Sequence, residues 1–326
     1  MRALIIGISG QDGTILRNLL RQKQVTVFGT RLPKSLVTEN PLTNSPRDQK
    51  GAMISEVNLE DREQCFNYLD SIQPNRIFHV AAVHGSSVDM KQVETENAKR
   101  MHDCHVLITH NILEWLRANR SVRLGVALSS QMYPINPISY AINEESILSP
   151  QNYYARTKFE AFKLIRQYRE TFDLFTIGYI LFNHTSIYSK PNFLFNNLAK
   201  QIHQYEKSDN YKIVIADANQ SIDMSDAFEV CEAMIQALEF KIPQDYVIAS
   251  EKAEKIYKII QEVGHARGLK ISVDDIISSN ASSEDFYIWG NTARIKRNLG
   301  WVAKKSPAQI LADLVKKEEL ENFSKE

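Results

Sequence analysis

A tyrosine and a lysine one helical turn apart form the pair with the clearest chemical potential in this sequence. Tyr154 and Lys158 stand at positions i and i+4 of a YARTK segment, so on a helix both side chains lie on one face. A nearby ammonium favours a phenolate, which predicts that Tyr154 exchanges a proton with an alcohol or a carbonyl near neutral pH. The spacing alone is also frequent by chance, and a half-buried helix tyrosine is the alternative.

A glycine-rich turn near the start of the chain is a candidate phosphate-binding site. Gly7, Gly10 and Gly13 follow the apolar run Ala3–Ile6 with the spacing G-x-x-G-x-x-G and precede a helical pattern from Thr14. Glycines let the backbone approach a pyrophosphate, whose charge a helix N-terminus stabilises. The spacing differs from the standard G-x-G-x-x-G fingerprint, and a tight turn without a ligand is the alternative.

A serine lies between these two motifs, at the end of a predicted strand. The apolar run Leu124–Ser129 closes on Ser129 and Ser130, and a hydroxyl there can hydrogen-bond the same carbonyl oxygen that Tyr154 serves. The order of glycine turn, strand-end serine and Tyr/Lys helix is far more specific than each motif alone. We therefore assign Ser129, Tyr154 and Lys158 as candidate catalytic residues.

The residues that end the second predicted strand bear on the choice of nicotinamide cofactor. Val25–Phe28 is followed by Gly29, Thr30 and Arg31, and this segment has no acidic residue. An NAD enzyme usually has Asp or Glu here for the ribose 2′-hydroxyl, whereas a hydroxyl and a guanidinium suit a 2′-phosphate. We predict NADP(H) over NAD(H), with a solvated loop charge as the alternative role of Arg31.

Strands and helices alternate through the first half of the chain, which predicts an α/β fold built on a doubly wound parallel sheet. The polar segment over 31–51 is expected to be a long loop, and the alternation weakens after about residue 183. The predicted strands are Ala3–Ile6, Val25–Phe28, Met53–Val57, Arg76–Ala82 and Leu124–Ser129, and helices are predicted from Thr14, over Asp61–Ile72 and over about Glu94–Asn119.

The composition argues against two classes of partner. The chain of 326 residues has 39 Lys and Arg and 39 Asp and Glu, so no excess charge points to nucleic acid or an anionic membrane. No apolar run approaches the roughly 18 residues of a membrane span. Cys65, Cys104 and Cys231 are scattered without metal-ligand spacing, which predicts thiols in a reducing compartment, the cytoplasm, and no metal site.

These motifs in this order resemble the extended short-chain dehydrogenase/reductase family, also described as NAD-dependent epimerases and dehydratases, and within it the GDP-mannose 4,6-dehydratases. Ala3–Leu16, Ile180–His184 and Leu299–Trp301 are similar to landmarks of that group, and the resemblance covers most of the chain. It implies an NADP(H)-binding Rossmann domain over 1–182, with a later returning segment at about 217–250. It also implies a smaller C-terminal domain, mainly 183–326, that binds a sugar nucleotide, and a homodimer or homotetramer.

The resemblance also implies roles residue by residue. The redox step at a sugar carbon falls to Ser129, Tyr154 and Lys158. The sugar nucleotide is expected near Ser130, Gln131 and Asn183. The residues implied to contact the cofactor are Gly7, Gly10, Gln11, Asp12, Gly13, Thr30, Arg31, Asn58, Leu59, Ala81, Ala82, Tyr154, Lys158 and Leu181.

The sequence departs from that group where the elimination of water needs an acid. The group has Thr, Ser and Glu after the strand, and this chain has Ser129, Ser130 and Gln131. The serine keeps the hydroxyl, but an amide has no usable pKa for proton transfer. Arginines of the kind that bind a diphosphate are also replaced, in the segment Gln220–Asp223 and near Asn280–Ala281.

Three hypotheses follow for the activity. The leading one is an NADP(H)-dependent ketoreductase that acts on a nucleotide-linked keto-sugar in polysaccharide biosynthesis, with Tyr154 as proton donor. The second is 4,6-dehydratase chemistry on GDP-mannose with a substitute acid such as Glu144 or Glu145. The third is a degenerate paralogue that binds NADP(H) without turnover. Net consumption of NADPH indicates the reductase, and a redox-neutral keto-deoxy product indicates the dehydratase.

Overall fold

The computed structural model describes residues 1–31, 52–83, 98–134, 139–208, 211–280 and 287–323. Most of the loop expected over 31–51, the first residues of the helix expected from about Glu94, and Ala281 lie outside this part of the chain.

The largest sheet of the described residues has seven strands. Their order is Met53–Glu56 (β3), Thr26–Arg31 (β2), Arg2–Ile6 (β1), Arg76–His79 (β4), Arg123–Ser129 (β5), Thr176–Leu181 (β7) and Tyr246–Ile248 (β11). The ladders that join β3 through to β7 are all parallel. The strand order reverses between β1 and β4, as in doubly wound Rossmann-like sheets, which confirms the predicted fold class. In chain order the strands are β1 (Arg2–Ile6), β2 (Thr26–Arg31), β3 (Met53–Glu56), β4 (Arg76–His79), β5 (Arg123–Ser129), β6 (Tyr140–Ile142), β7 (Thr176–Leu181), β8 (Asn183–Thr185), β9 (Ile213–Ile215), β10 (Ser221–Asp226), β11 (Tyr246–Ile248), β12 (Ala253–Lys255), β13 (Ile276–Ser278) and β14 (Ile288–Gly290).

The central strands are apolar because helices cover both faces of a parallel sheet. Ala3 to Ile6 of β1 and all of β7 are buried. The α-helices of the described residues are α1 (Gln11–Gln22), α2 (Arg62–Ile72), α3 (Ile108–Leu116), α4 (Tyr153–Phe172), α5 (Leu194–Lys207), α6 (Ala227–Glu239), α7 (Ile256–Ala266), α8 (Ala293–Leu299) and α9 (Pro307–Phe323). Within the described ranges, none of them combines the length and apolarity needed to cross a bilayer.

Helix α4 carries the Tyr/Lys pair and has a well-defined start. The side chain of Asn152 caps it by accepting a hydrogen bond of 2.7 Å from the Ala155 N–H, which satisfies one of the amides that a helix start leaves unpaired. The helix ends at Asp173, which takes the left-handed conformation that terminates many helices. Its buried face includes Tyr154, Thr157, Lys158, Ala161 and Ile165, at the spacing of one helix stripe.

The helix before α3 is not regular. Residues 98–102 are α-helical, and they are followed by a π-helical turn, Asp103–Leu107, before α3 begins. This turn packs against α4. Single π-helical turns inside α-helices are rare and frequently lie at functional sites.

The observed strands start or end within three residues of the predicted ones. Strand β2 extends to Arg31 and therefore includes Thr30, both of which were predicted to follow the strand. Strand β4 ends at His79, so Ala81 and Ala82 lie in the irregular segment after it. These shifts place the candidate cofactor residues at the carboxyl edge of the sheet, where ligands of doubly wound proteins bind.

The chain forms two compact units. The first comprises Met1–Pro134, Ile147–Leu181 and Cys231–Tyr246, and the second comprises Ile135–Ser146, Phe182–Val230 and Val247–Glu326. Packing thus assigns 135–146 to the second unit and returns only 231–246 to the first. The functional domains predicted from sequence, 1–182 with about 217–250 and mainly 183–326, stay a prediction.

The second unit has its own sheets and its own core. It contains a three-stranded sheet, β12-β10-β8, and the two-stranded pairs β13-β9 and β14-β6. Apolar side chains of α5, α7 and α9 form one buried cluster, with Leu198, Ile202, Ile259, Val263 and Leu311 among its members.

Candidate active site

Strand β5 and helix α4 bring the three predicted catalytic residues together. Ser129 ends β5, and Tyr154 and Lys158 occupy the first two turns of α4; they are 8%, 9% and 3% exposed. The Ser129 hydroxyl hydrogen-bonds the Tyr154 side chain. Lys158 Nζ donates to the Ala127 carbonyl oxygen at 2.9 Å and lies 5.8 Å from the centre of the Tyr154 ring. A hydroxyl, a phenol and an amine therefore converge at one strand end.

Burial dominates the acid–base properties of this group. It raises the pKa of Tyr154 to about 12, and the Ser129 hydrogen bond is the main contact that lowers this pKa. It lowers the pKa of Lys158 to about 8. The expectation that Lys158 lowers the phenol pKa stays a prediction; in the structure, burial is the largest cause of the raised pKa of Tyr154. At neutral pH, Tyr154 is protonated and Lys158 is mostly charged.

The predicted substrate residues Ser130 and Gln131 form a short 3₁₀ turn after β5. The Gln131 N–H donates to Ser129 Oγ at 3.2 Å, and its side-chain Oε1 accepts from Asn152 Nδ2 at 3.0 Å. Gln131 therefore contacts the residue that caps α4. Its predicted role as a substrate contact stays a prediction.

The glycine turn is tightly packed at two of its three glycines. Gly7 has a φ of +89°, and a Cβ there would lie 2.7 Å from the Ala81 backbone. A Cβ on Gly13 would lie 2.2 Å from the Gly7 carbonyl oxygen. These two glycines are required by packing of the protein on itself.

Gly10 is different, because it is exposed and precedes the first residue of α1. Among the described residues beyond its chain neighbours, the Gly7 carbonyl oxygen, at 3.4 Å, is what a Cβ on Gly10 would meet within 4 Å. The next two side chains contact each other, since Gln11 Nε2 donates to Asp12 Oδ1 at 3.1 Å. An uncrowded glycine at a helix start is the arrangement that admits a phosphate group.

The end of β2 holds one feature that the sequence analysis missed. Thr30 is 3% exposed, and Arg31 Nη2 lies 2.8 Å from Glu56 Oε1. Glu56 ends β3, and the parallel register places it beside Arg31. The end of β2 itself has no acidic residue, as the sequence shows; the acid beside Arg31 comes from the neighbouring strand, whose register is not visible in one sequence.

The other candidate cofactor residues also belong to the first unit. Asn58 Oδ1 accepts from the Glu60 N–H at 3.1 Å, and Leu59 is 2% exposed. Ala81 faces Gly7, and Ala82 follows it. Leu181 ends β7 in register with Ser129, so it stands beside the candidate catalytic serine.

Asn183 begins β8 in the second unit, beside Met224 of β10, and its predicted role near a sugar nucleotide stays a prediction. The two glutamates considered as substitute acids are engaged in the same unit. Glu144 is 5% exposed; its Oε1 accepts from the Val247 N–H at 2.9 Å, and its Oε2 lies 3.6 Å from Arg294 Nε. Glu145 lies 2.6 Å from Arg294 Nη2. Both carboxylates are therefore paired with the same arginine.

The segment Gln220–Asp223, where the resembled group has an arginine, ends in a buried acid. Asp223 is 1% exposed and accepts hydrogen bonds from Ser250 N, Ser250 Oγ and Gly290 N. Burial raises the pKa of this carboxyl. These bonds connect β10 to the segments after β11 and at the end of β14, which is a structural function.

Three residues that the sequence analysis did not select lie beside Tyr154 and Lys158. His79 is 2% exposed with its Nε2 3.0 Å from the Cys104 carbonyl oxygen, and burial together with the Lys158 charge lowers its pKa to about 3. Burial raises the pKa of Cys104 to about 11. The His105 ring packs edge-on against Tyr154, with 5.4 Å between ring centres. Helical periodicity does not identify Cys104 and His105, because the π-helical turn changes which side chains face α4, and His79 lies on β4.

One group of possible metal ligands occurs among the described residues, in the second unit. His203, Glu206 and Glu319 have ligand atoms within 4.8 Å of one another. Arg267 forms ion pairs with both glutamates, so a cation already neutralises them. The absence of a metal site stays a prediction.

The doubly wound sheet, with serine, tyrosine and lysine at its carboxyl edge, defines a Rossmann-fold protein of the extended short-chain dehydrogenase/reductase type. Solved structures share this fold. The dTDP-glucose 4,6-dehydratase of Bacillus anthracis in complex with NAD has a TM-score of 0.80 at 17% identity, over 99% of this chain and 98% of that one. RMD of Pseudomonas aeruginosa complexed with NADPH has a TM-score of 0.77 at 20% identity, over 98% of both chains.

The model of the GDP-mannose 4,6-dehydratase family matches residues 4–314, and the chain belongs to this family of nucleotide-sugar enzymes. The GDP-mannose 4,6-dehydratase of Drosophila melanogaster is 23% identical over 96% of this chain and 85% of its own length. GDP-mannose 4,6-dehydratase 2 of Arabidopsis thaliana is 26% identical over 92% of this chain and 82% of its own length. The family resemblance predicted from the motifs is thereby confirmed.

Proposed function

We propose that this chain is an NADP(H)-dependent ketoreductase that reduces the carbonyl of a nucleotide-linked keto-sugar. The observation that carries the proposal is the contact between Ser129 and a buried, protonated Tyr154, whose pKa is raised to about 12. A phenol that keeps its proton at neutral pH is suited to donate it to a carbonyl oxygen that becomes an alcohol.

Each residue of the trio then has a distinct role. The Ser129 hydroxyl holds the substrate carbonyl oxygen, and Tyr154 transfers its proton to that oxygen. The Lys158 ammonium, fixed on the Ala127 carbonyl oxygen at 2.9 Å, stabilises the phenolate that remains. Ser130 and Gln131 follow Ser129 in the chain and contact the sugar. Asn183 is proposed separately as a contact of the sugar nucleotide.

The first unit fits a dinucleotide with a 2′-phosphate. The uncrowded Gly10 at the start of α1 admits the pyrophosphate, because the first amides of a helix are unpaired donors. Thr30 and Arg31 bind the 2′-phosphate, for which Arg31 exchanges its partly exposed contact with Glu56. When bound, NADPH supplies the hydride. The remaining contacts are those of Gly7, Gln11, Asp12, Gly13, Asn58, Leu59, Ala81, Ala82, Lys158 and Leu181.

A second candidate is 4,6-dehydration of GDP-mannose, which the family model and the names of the relatives favour. This reaction needs a group that moves a proton at the carbon next to the carbonyl and at the departing hydroxyl. Gln131 cannot do so, and Glu144 and Glu145 are engaged by Arg294. For these reasons we propose the reductase before the dehydratase.

One product assay separates the candidates. The protein is incubated with GDP-mannose and catalytic NADP⁺, and separately with nucleotide-linked 4-keto-sugars and stoichiometric NADPH, with Tyr154→Phe as the control. The reductase yields a product that gains one hydride and one proton for each NADPH consumed. A GDP-mannose product lighter by one water, formed over many turnovers, refutes the reductase and establishes the dehydratase. Tight NADPH binding with neither product supports the paralogue without turnover.

We further propose that residues 1–182 with about 217–250 bind the cofactor and that mainly 183–326 bind the sugar nucleotide. The assembly is a homodimer or homotetramer that acts in the cytoplasm. Light scattering coupled to size-exclusion chromatography tests the assembly, and a monomeric mass overturns it.

A further inference from the structure

A buried histidine on the π-helical turn connects the catalytic helix to the segment after β4. His105 is 1% exposed. Its Nε2 accepts from the Val83 N–H at 3.2 Å, and its Nδ1 lies 2.8 Å from Thr157 Oγ1. Thr157 is buried in α4, and its hydroxyl donates to the Tyr154 carbonyl oxygen at 2.9 Å.

The direction of every bond in this chain is fixed by chemistry. A backbone N–H can only donate, so His105 Nε2 carries no proton. A neutral imidazole has one ring proton, which therefore lies on Nδ1 and is donated to Thr157 Oγ1. The Thr157 hydroxyl keeps its own proton for the Tyr154 carbonyl. The Nδ1–H tautomer of His105 is therefore the one that is compatible with all three hydrogen bonds.

These hydrogen bonds connect the segment after β4 to α4, and the proposed chemistry depends on the position of these two elements. Val83 is the second residue after Ala81, which faces Gly7. At the other end, the hydrogen bond of the Thr157 hydroxyl reaches the first turn of α4. The His105 ring also packs edge-on against the Tyr154 ring, at 5.4 Å between centres and 87° between planes. The backbone and the ring of Tyr154 are thus held by the same histidine.

We propose that His105 is a positioning residue that, through the Thr157 hydroxyl and its own ring, fixes Tyr154 relative to the segment after β4. This inference rests on the proposed function, which assigns to Tyr154 the proton transfer that needs such positioning. Small displacements of a reacting group cost large factors in rate, up to about a hundredfold for 1 Å.

Substitutions at Thr157 test this hydrogen-bond network with little change in the shape of the side chain. Thr157→Val removes the hydroxyl and keeps the volume, and Thr157→Ser keeps the hydroxyl. Thr176→Val is the matched control, because Thr176 is equally buried and its hydroxyl donates to the Ile165 carbonyl oxygen of the same helix at 2.8 Å. We expect Thr157→Val to lower kcat about tenfold or more with KM and NADPH affinity within about twofold. Thr157→Ser should restore most of kcat.

Substitutions at His105 separate its two bonds. His105→Asn offers an amide at the Nδ1 position, and His105→Gln offers an acceptor near the Nε2 position. His105→Phe keeps an aromatic ring against Tyr154 and removes both bonds. We expect the loss of kcat to be larger for His105→Phe and His105→Gln than for His105→Asn, because only the asparagine still donates to Thr157.

Two NMR measurements decide the inference without any substrate. Long-range ¹H–¹⁵N correlation of the histidine side chains, with the His105 signal identified by its loss in His105→Phe, should show the Nδ1–H tautomer. The ¹³Cζ signal of Tyr154, identified by its loss in Tyr154→Phe, should shift or broaden in Thr157→Val and stay in place in Thr157→Ser and Thr176→Val.

The outcomes separate the two proposals. An Nε2–H tautomer, or a Tyr154 signal that Thr157→Val leaves unchanged, overturns the positioning role whatever the enzyme does. An altered Tyr154 signal in a protein that turns over no nucleotide sugar supports the positioning role and refutes the proposed function. An equal kcat in Thr157→Val and Thr176→Val, in an active enzyme, also overturns the positioning role.

Discussion

The contact between Arg31 and Glu56 allows the cofactor preference to be predicted with a magnitude. Their side chains are 44% and 37% exposed, and an ion pair this exposed is worth about 0–1 kcal/mol. A charge-assisted contact to a 2′-phosphate is worth about 1.5–3 kcal/mol. The exchange of Glu56 for the phosphate therefore gains about 0.5–3 kcal/mol, which is roughly a factor of 2–160 in affinity.

Arg31→Ala should accordingly weaken NADPH binding about tenfold and leave NADH binding nearly unchanged. Glu56→Gln should strengthen NADPH binding by about two- to fivefold, because the guanidinium no longer has to leave a carboxylate and the phosphate no longer meets its charge. In the Arg31→Ala background the gain from Glu56→Gln should shrink, since its first cause has gone.

The assay is a titration of NADPH and NADH followed by cofactor fluorescence at one fixed ionic strength. Arg62→Ala is the control: Arg62, like Arg31, is a largely exposed arginine that pairs with a glutamate, Glu114 at 3.3 Å, in the same unit and outside the proposed cofactor contacts. Equal affinities for NADPH and NADH in the unmodified protein would refute the reasoning. So would an Arg31→Ala effect no larger than that of Arg62→Ala.

Four further predictions concern the site itself. Tyr154→Phe should lower turnover by roughly a hundredfold or more and barely change NADPH affinity, measured by steady-state kinetics; near-normal rates would contradict the assignment of the helix. Ser129→Ala should move the ionisation of Tyr154 to higher pH, because the substitution removes the contact that lowers the phenol pKa. The absorbance of tyrosinate, with Tyr154→Phe as the blank, measures this pKa. A lower pKa in Ser129→Ala would contradict the prediction. Gly7→Ala should lower Tm by roughly 5 °C or more, because its Cβ would meet Ala81. Gly10→Ala should keep the Tm of the unmodified protein and weaken NADPH binding. Normal NADPH binding by Gly10→Ala would exclude this turn as the phosphate site. Gln131→Glu should slow reduction of a keto-sugar, because its charge would oppose the developing alkoxide, and a faster NADPH consumption would contradict that role.

Sequence reasoning succeeded where one residue or one short run determines the outcome. The apolar run Ala3–Ile6 is a strand because it is buried on both faces of a parallel sheet. Ser129 and the Tyr154/Lys158 pair come together because a strand end and a helix start bring them to the same edge of the sheet. Local rules of this kind suffice for the fold class and for the candidate trio.

The remaining features depend on distances between segments that are remote in the sequence. Glu56 meets Arg31 only through the register of β2 and β3. The pKa of Tyr154 follows from the depth of its burial, which no helical pattern specifies. His105 reaches Tyr154 because a π-helical turn replaces the regular spacing. Each of these is a tertiary property, and each changes the chemistry that a motif alone implies.

Position 131 shows why membership of the family does not by itself transfer the reaction. Gln131 Oε1 accepts a hydrogen bond from Asn152 Nδ2 at 3.0 Å, and Asn152 in turn caps α4. A carboxylate accepts the same bond equally well, so the cap of α4 requires an acceptor at position 131 and does not require an amide. Glutamate and glutamine therefore support the same helix start and the same fold, while only glutamate can move a proton. The overall similarity that defines the family is insensitive to this one group, whereas the proposed function makes the reaction depend on it.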